Sequence, residues 1–273
     1  MAKIVGDTSG TENTLVSVSG EDLDLLAVSD DFTNGIDAGK WDEIVESSGT
    51  LTPLIAGLQL STGIDAASSA ILREDDAYEN VDAEVELSLV YTDGVGSAWL
   101  GLTHSTGNLR ASLHSNGTFS VTSSHGLTYS RPSRDVSKVR LRLLKYGSTV
   151  YVFVGDLLLL TTPWLSAAVK VEISVENNPD QDSYFIAQAA YYKRRPLIIF
   201  DTSPALTMTY QSANRVEVTA PNHPSGEVSL SVITDLTTIE VDNTFTYENS
   251  IDFRNVNSKL RVVSDVQLRN GRN

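Results

Sequence analysis

The chain has 273 residues, no cysteine and a formal net charge of −15. A disulfide framework, a thiolate metal site and a thiol nucleophile are thereby excluded. The lack of a basic excess argues against binding nucleic acid by phosphate neutralisation and against long-range attraction to an anionic membrane.

Residues 1–29 are rich in Ser, Thr, Gly and acids, with short apolar patches at Leu15 to Val18 and Leu23 to Val28. They are expected to form an N-terminal arm ordered by a neighbour. From Met1 to Asp31 the net charge is −6, whereas Arg254 to Asn273 carries +4. Oppositely charged ends suit docking between subunits, and they equally suit solvated tails. The start, MAKIVGDTSGTENT, lacks the apolar core of a signal peptide, and no apolar run is long enough to span a bilayer, so synthesis in a host cytoplasm is expected.

From Asp30 onward short strands alternate with turns. Asp82, Glu84, Glu86 and Ser88 alternate with Ala83, Val85, Leu87 and Leu89, and Val169, Val171, Ile173 and Val175 alternate with Lys170, Glu172 and Ser174. Between them SAWLGLT (97–103), LRASL (109–113) and TFSVT (118–122) are separated by Gly- and Asn-containing turns. Strands and turns at roughly ten-residue spacing signal an all-β sandwich.

The central stretch is 139–162, VRLRLLKYGSTVYVFVGDLLLLTT. Val139, Leu141 and Leu143 alternate with Arg140 and Arg142, and Val150, Val152 and Val154 alternate with Tyr151 and Phe153, which predicts a hairpin with one apolar face. A two-residue loop at Tyr146-Gly147 sets Leu141 opposite Val152 and Val139 opposite Val154. Arg140 then meets Phe153 and Arg142 meets Tyr151, as cation-π pairs or the floor of a groove. The run Leu157 to Leu160 reads as a strand buried on both sides.

The segment DDFTNGIDAGKW (30–41) resembles the opening motif of concanavalin A-like lectin/glucanase sandwiches, and GSTVYVFVGDLLL resembles a strand pair of that superfamily. The resemblance implies a jelly roll of two curved antiparallel sheets over residues 30–195, with ligands across the concave sheet. FIAQAAYYKRRP (185–196) is then the closing strand followed by a basic exit. Beyond it, SANRVEVTAPNHPSGEVSLSVITD (212–235) and NTFTYEN (243–249) resemble the second half of the IPT/TIG immunoglobulin-like domain. A Gly-Gly-Thr segment of that family is missing at the front, so the small domain of residues 196–249 is expected to be completed by another chain. Residues 250–273 are expected to be an extended basic C-terminal arm.

Candidate chemistry is sparse. Asp82, Glu84 and Glu86 share one face of a strand, about 6.6 Å apart in steps of two. The resemblance implies comparison with the Glu-x-Asp-x-Glu run of laminarinase-like members, but the order here is Asp-x-Glu-x-Glu, and a solvated outer face is the expected role. His104, His114 and His125 show no metal-ligand spacing. Asn177, Asn178, Asp180 and Asp182 offer hard oxygen ligands that suit calcium, or a plain Asn-Pro-Asp turn. Trp99, Tyr151 and Phe153 with Arg140 and Arg142 could provide a stacking and hydrogen-bonding surface for sugars, or ordinary packing. No catalytic residue and no cofactor are expected.

The sequence-level expectation is therefore a non-enzymatic structural protein of a tailed-bacteriophage virion, in the head, neck or tail. It would contact other virion proteins and copies of itself through its arms. Carbohydrate binding in host attachment is the alternative, and a glycoside hydrolase a third reading.

Overall fold

The computed structural model describes residues 2–20, 23, 28–93, 95–132, 138–177, 184–212, 214–233 and 238–248. Every regular element among them is a β-strand. The chain divides into two compact units, the larger drawn from the described residues of Asp22–Leu197 and Ile233–Thr238.

The larger unit is a sandwich of two antiparallel sheets. One has seven strands in the order Thr128–Pro132, Thr118–Ser123, Gly107–His114, Gly96–His104, Lys170–Asn177, Ser69–Glu74 and Trp41–Glu46. The other is eight-stranded and runs Leu157–Pro163, Thr149–Val154, Val139–Tyr146, Val81–Asp93, Tyr184–Arg195, Gly57–Ser61 and Thr50–Leu54, with Val28–Asp30 added beside Tyr184–Arg195. Period-2 alternation explains the layers, because successive side chains of a strand point to opposite faces. Val81, Ala83, Val85 and Leu87, together with Leu141, Leu143, Val150 and Val152, meet Leu100, Leu102, Ala111, Val171 and Ile173 in one core. The charged residues between them are left on the outer faces.

The central hairpin forms with its faces as expected but with its register displaced by two residues. Tyr146 pairs with Thr149, Leu143 with Val152 and Leu141 with Val154. The loop is Gly147-Ser148, and Gly147 takes the positive φ of 55° that a tight hairpin requires at its first loop position. Its N–H donates to Asn80 Oδ1 at 2.8 Å, which anchors the turn. Arg142 consequently lies opposite Phe153 rather than Tyr151. The apolar run after it is not buried on both sides: Leu157–Pro163 is the edge strand, with Leu157 57% and Leu158 38% exposed. The Lys-Arg-Arg stretch is likewise no exit loop, since the closing strand continues through Arg195.

The opening motif is pinned by Asp30, whose Oδ1 accepts from Phe32 N and whose Oδ2 accepts from Trp41 Nε1, both at 2.9 Å. Phe32 adopts a φ of 58°, unusual for a bulky side chain, and is fully buried near Trp41. Trp41 meets Tyr192 of the closing strand edge-on at 4.9 Å. Tyr192 and Arg194 in turn donate to the buried Glu74. The two ends of the sandwich sequence are thus locked together by a small polar and aromatic cluster.

The smaller unit, from described residues of Met1–Glu21, Ile198–Val232 and Ile239–Asn273, corrects the expectation of an N-terminal arm. Ala2–Val5 and Leu15–Gly20 are strands, ordered with Arg215–Thr219 and Met208–Ser212 in one antiparallel sheet. Ser9–Gly10 pairs in parallel with Phe245–Tyr247. Ile4, Val16 and Val18 are buried, as are Val216, Val218, Phe200, Phe245 and Tyr247. The strands missing from residues 196–249 are therefore supplied by the start of the same chain, because the Val16/Val18 face needs apolar cover and Val216/Val218 provides a matching one. The C-terminal arm expected over 250–273 lies outside the described residues.

Candidate functional site

The longest strand, Val81–Asp93, lies near the middle of the eight-stranded sheet, between Val139–Tyr146 and Tyr184–Arg195. Its inward residues are the apolar ones, so Asp82, Glu84 and Glu86 all stand on the outer face. On the flanking strands five of the six residues in register with them are basic or aromatic. Arg142 and Lys193 lie on either side of Glu84, Arg140 and Tyr191 flank Glu86, and Leu144 and Arg195 flank Asp82.

The acids are not solvated, contrary to the sequence-level reading: Asp82 is 2% exposed and Glu84 4%. Arg142 Nε and Nη2 each donate to one oxygen of Asp82 at 2.6 Å, a bidentate pair. Glu84 accepts from the Tyr191 hydroxyl at 2.8 Å on Oε1 and from Arg195 Nη2 at 2.7 Å on Oε2. Lys138 Nζ lies 3.0 Å from Glu86 Oε1. Burial lowers the pKa of Arg142, but the carboxylates around it, Asp82 foremost with Glu84 and Asp156, together hold the guanidinium above its ordinary value. Burial, followed by the bond to Glu84, pushes the Tyr191 hydroxyl well up. Burial and then Arg195 lower the Lys193 ammonium.

Beside this row the closing strand and the opening motif border an open polar cavity of about 430 Å³, lined by Ser29, Asp30, Asp31, Asn34, Tyr191 and Lys193. Sequence reasoning missed Tyr191, Lys193 and Arg195, although their period-2 spacing carries the signal. Asp31 is tied into its own turn, accepting from Thr33 N and Oγ1.

The five residues proposed from sequence as a sugar surface do not form one. Arg140, Arg142, Tyr151 and Phe153 stand on the outer face of the eight-stranded sheet, whereas Trp99 belongs to the seven-stranded sheet. Phe153 is 2% exposed, with the Arg142 guanidinium 4.6 Å from its ring centroid. Arg140 pairs with Asp156 at 2.9 Å, and Tyr151 is half-buried. His104 and His114 each end their strand, and because the two strands are antiparallel they lie at opposite ends of the pair; among the described residues no group of three or more His, Asp or Glu could hold a metal. Of the calcium candidates, Asn178, Asp180 and Asp182 lie outside the described residues. Asn177 is buried, and it accepts from Ser68 N and donates to the Asp65 carbonyl.

No protein-family model matches the sequence. The search of curated proteins gives no significant match. Among solved structures the chain is similar to the laminarinase catalytic domain of Thermotoga maritima MSB8, with a TM-score of 0.51 and 11% identity over 62% of this chain and 96% of that one. A Bacillus licheniformis β-glucanase gives 0.50 and 12% over 62% and 97%, and Crh5 transglycosylase in complex with NAG gives 0.53 and 11% over 71% and 92%. At these identities the likeness is one of fold, an antiparallel β-sandwich shared with these enzymes. The expectation of a bacteriophage virion structural protein is overturned by these neighbours, which are carbohydrate-active enzymes. That expectation rested in part on terminal arms and an incomplete second domain, and the N-terminal arm is instead a set of strands within the smaller unit.

Proposed function

We propose that the larger unit binds a neutral polysaccharide, with β-1,3-glucan as the first candidate, along the outer face of its eight-stranded sheet, and does not hydrolyse it. One observation carries this reading. All four carboxylate oxygens of Asp82 and Glu84 are already engaged by Arg142, Tyr191 and Arg195. Hydrolysis of a glycosidic bond needs one carboxyl that gives a proton to the leaving oxygen and a second that attacks or activates water. Carboxylates held on both oxygens by such donors are fixed in the wall of the sheet and are not poised over a glycosidic oxygen. The adjoining cavity, with Asp31, Asn34, Tyr191 and Lys193, presents the mixed donors and acceptors that suit sugar hydroxyls.

Glucan as the ligand follows the neighbours, among them the laminarinase. The test is calorimetric titration of the full chain with laminarin, alongside an assay for released reducing ends. Saturable binding weakened by Lys193→Ala and Asp31→Ala, with no release, supports the reading. Release of reducing ends that is abolished by Glu84→Gln overturns it in favour of a hydrolase.

A further inference from the structure

Among the described residues two asparagines stand directly before a glycine, Asn34-Gly35 in the opening motif and Asn116-Gly117 in the turn between Gly107–His114 and Thr118–Ser123. An asparagine so placed carries its own reagent. The next backbone nitrogen can close on the side-chain amide carbon, because glycine has no Cβ to hinder the approach and adopts the backbone angles that closure needs. In a folded chain this happens only where both groups can turn into line.

The two sites differ in how the amide is held. Asn116 Oδ1 accepts from Thr118 N at 2.9 Å, an Asx turn that ties the side chain to its own loop. Asn34 is exposed, and its amide makes no hydrogen bond to a described residue. Gly35 has a φ of 96°, and nothing lies within 4 Å of where its Cβ would be. Its nitrogen is restrained by a bond to Phe32 O at 3.1 Å, and Gly117 N is restrained equally by His114 O at 3.0 Å. The side-chain tether is therefore what separates the two.

We propose that the fold leaves Asn34 free to modify itself while it protects Asn116. Gly35 N loses its proton to solvent and attacks Asn34 Cγ. The Cγ–Nδ2 bond breaks, the departing nitrogen takes up a proton, and ammonia leaves a cyclic imide behind. Water then adds to either imide carbonyl and opens the ring to an aspartyl or an isoaspartyl residue. No oxidant or cofactor is required. The product places a further carboxylate, and in the isoaspartyl form one more backbone methylene, in the wall of the cavity shared with Asp31, Tyr191 and Lys193. This chemistry is independent of the ligand proposed for that cavity.

The full chain is aged at mildly alkaline pH, with a parallel sample kept unfolded in guanidinium chloride. Peptides spanning each asparagine are followed by mass spectrometry, and isoaspartyl residues by enzymatic methylation. In the unfolded chain the two sites should convert at similar rates, since each is an Asn-Gly pair. In the native chain Asn34 should convert several-fold faster than Asn116, and isoaspartate should appear in its peptide. A native Asn34 that keeps its amide, or converts no faster than Asn116, overturns the proposal. A contrast of the same size in the unfolded chain also overturns it, because the flanking sequence and not the fold would then be the cause.

Discussion

Arg142 grips Asp82 with two 2.6 Å hydrogen bonds across 60 residues of sequence, and both side chains are almost wholly out of solvent. Removing one member of such a pair strands the other charge without water or partner. Arg142→Ala should therefore cost about 3–5 kcal/mol of stability in urea denaturation. The double change Arg142→Met with Asp82→Leu should recover most of that loss. A single variant as stable as the parent would mean that the pair is not the structural clamp described above.

The N-terminal strands are an integral part of the smaller unit. Deleting residues 2–20 removes the buried Ile4, Val16 and Val18 and exposes the Val216/Val218 face. Hydrogen exchange should show the amides of Arg215–Thr219 losing protection while those of Val81–Asp93 keep it. A synthetic peptide of residues 1–20 should restore protection in trans. Unchanged exchange in the truncated chain would contradict this account.

His114 gives a pH signature. Its Nε2 lies 2.7 Å from Ser120 Oγ, and burial pushes its pKa below the ordinary value of 6.5. The unfolded chain then binds the proton more readily than the folded one. The stabilisation is fully present above pH 6.5 and is lost as pH falls from there through the depressed folded value. His114→Asn should flatten stability over that interval, as read by thermal unfolding at stepped pH.

Asp30→Ala removes the acceptors of both Phe32 N and Trp41 Nε1. The expected loss is about 1–3 kcal/mol for buried donors left unpaired. Near-ultraviolet circular dichroism should also report a changed Trp41 environment. A variant with unaltered signal and stability would show that packing of Trp41 against Tyr192 suffices without Asp30.

Much of the sandwich was legible locally. The hairpin register lies two residues from the expected one, yet every side chain keeps its face, because an even shift preserves the alternation. The acid row was placed on the correct side of its strand for the same reason. Its environment was not legible: an alternating Asp-Glu-Glu reads the same whether water or guanidinium lies opposite. The Leu157 run failed similarly, since an apolar stretch does not say whether it lies at the centre or the edge of a sheet. Trp99 and Tyr151 looked like members of one aromatic surface until their strands fell in different sheets.

Alternating polarity in the chain by itself determined the all-β class and which side chains share a face, because a strand's side chains alternate whatever it pairs with. Only the tertiary structure decided that Arg195 reaches Glu84 from 111 positions away and that Arg215 meets Ser17 across 198. Backbone hydrogen bonds are the same for every partner, so the choice of neighbour depends on how completely the whole sheet buries its apolar face and pairs its charges.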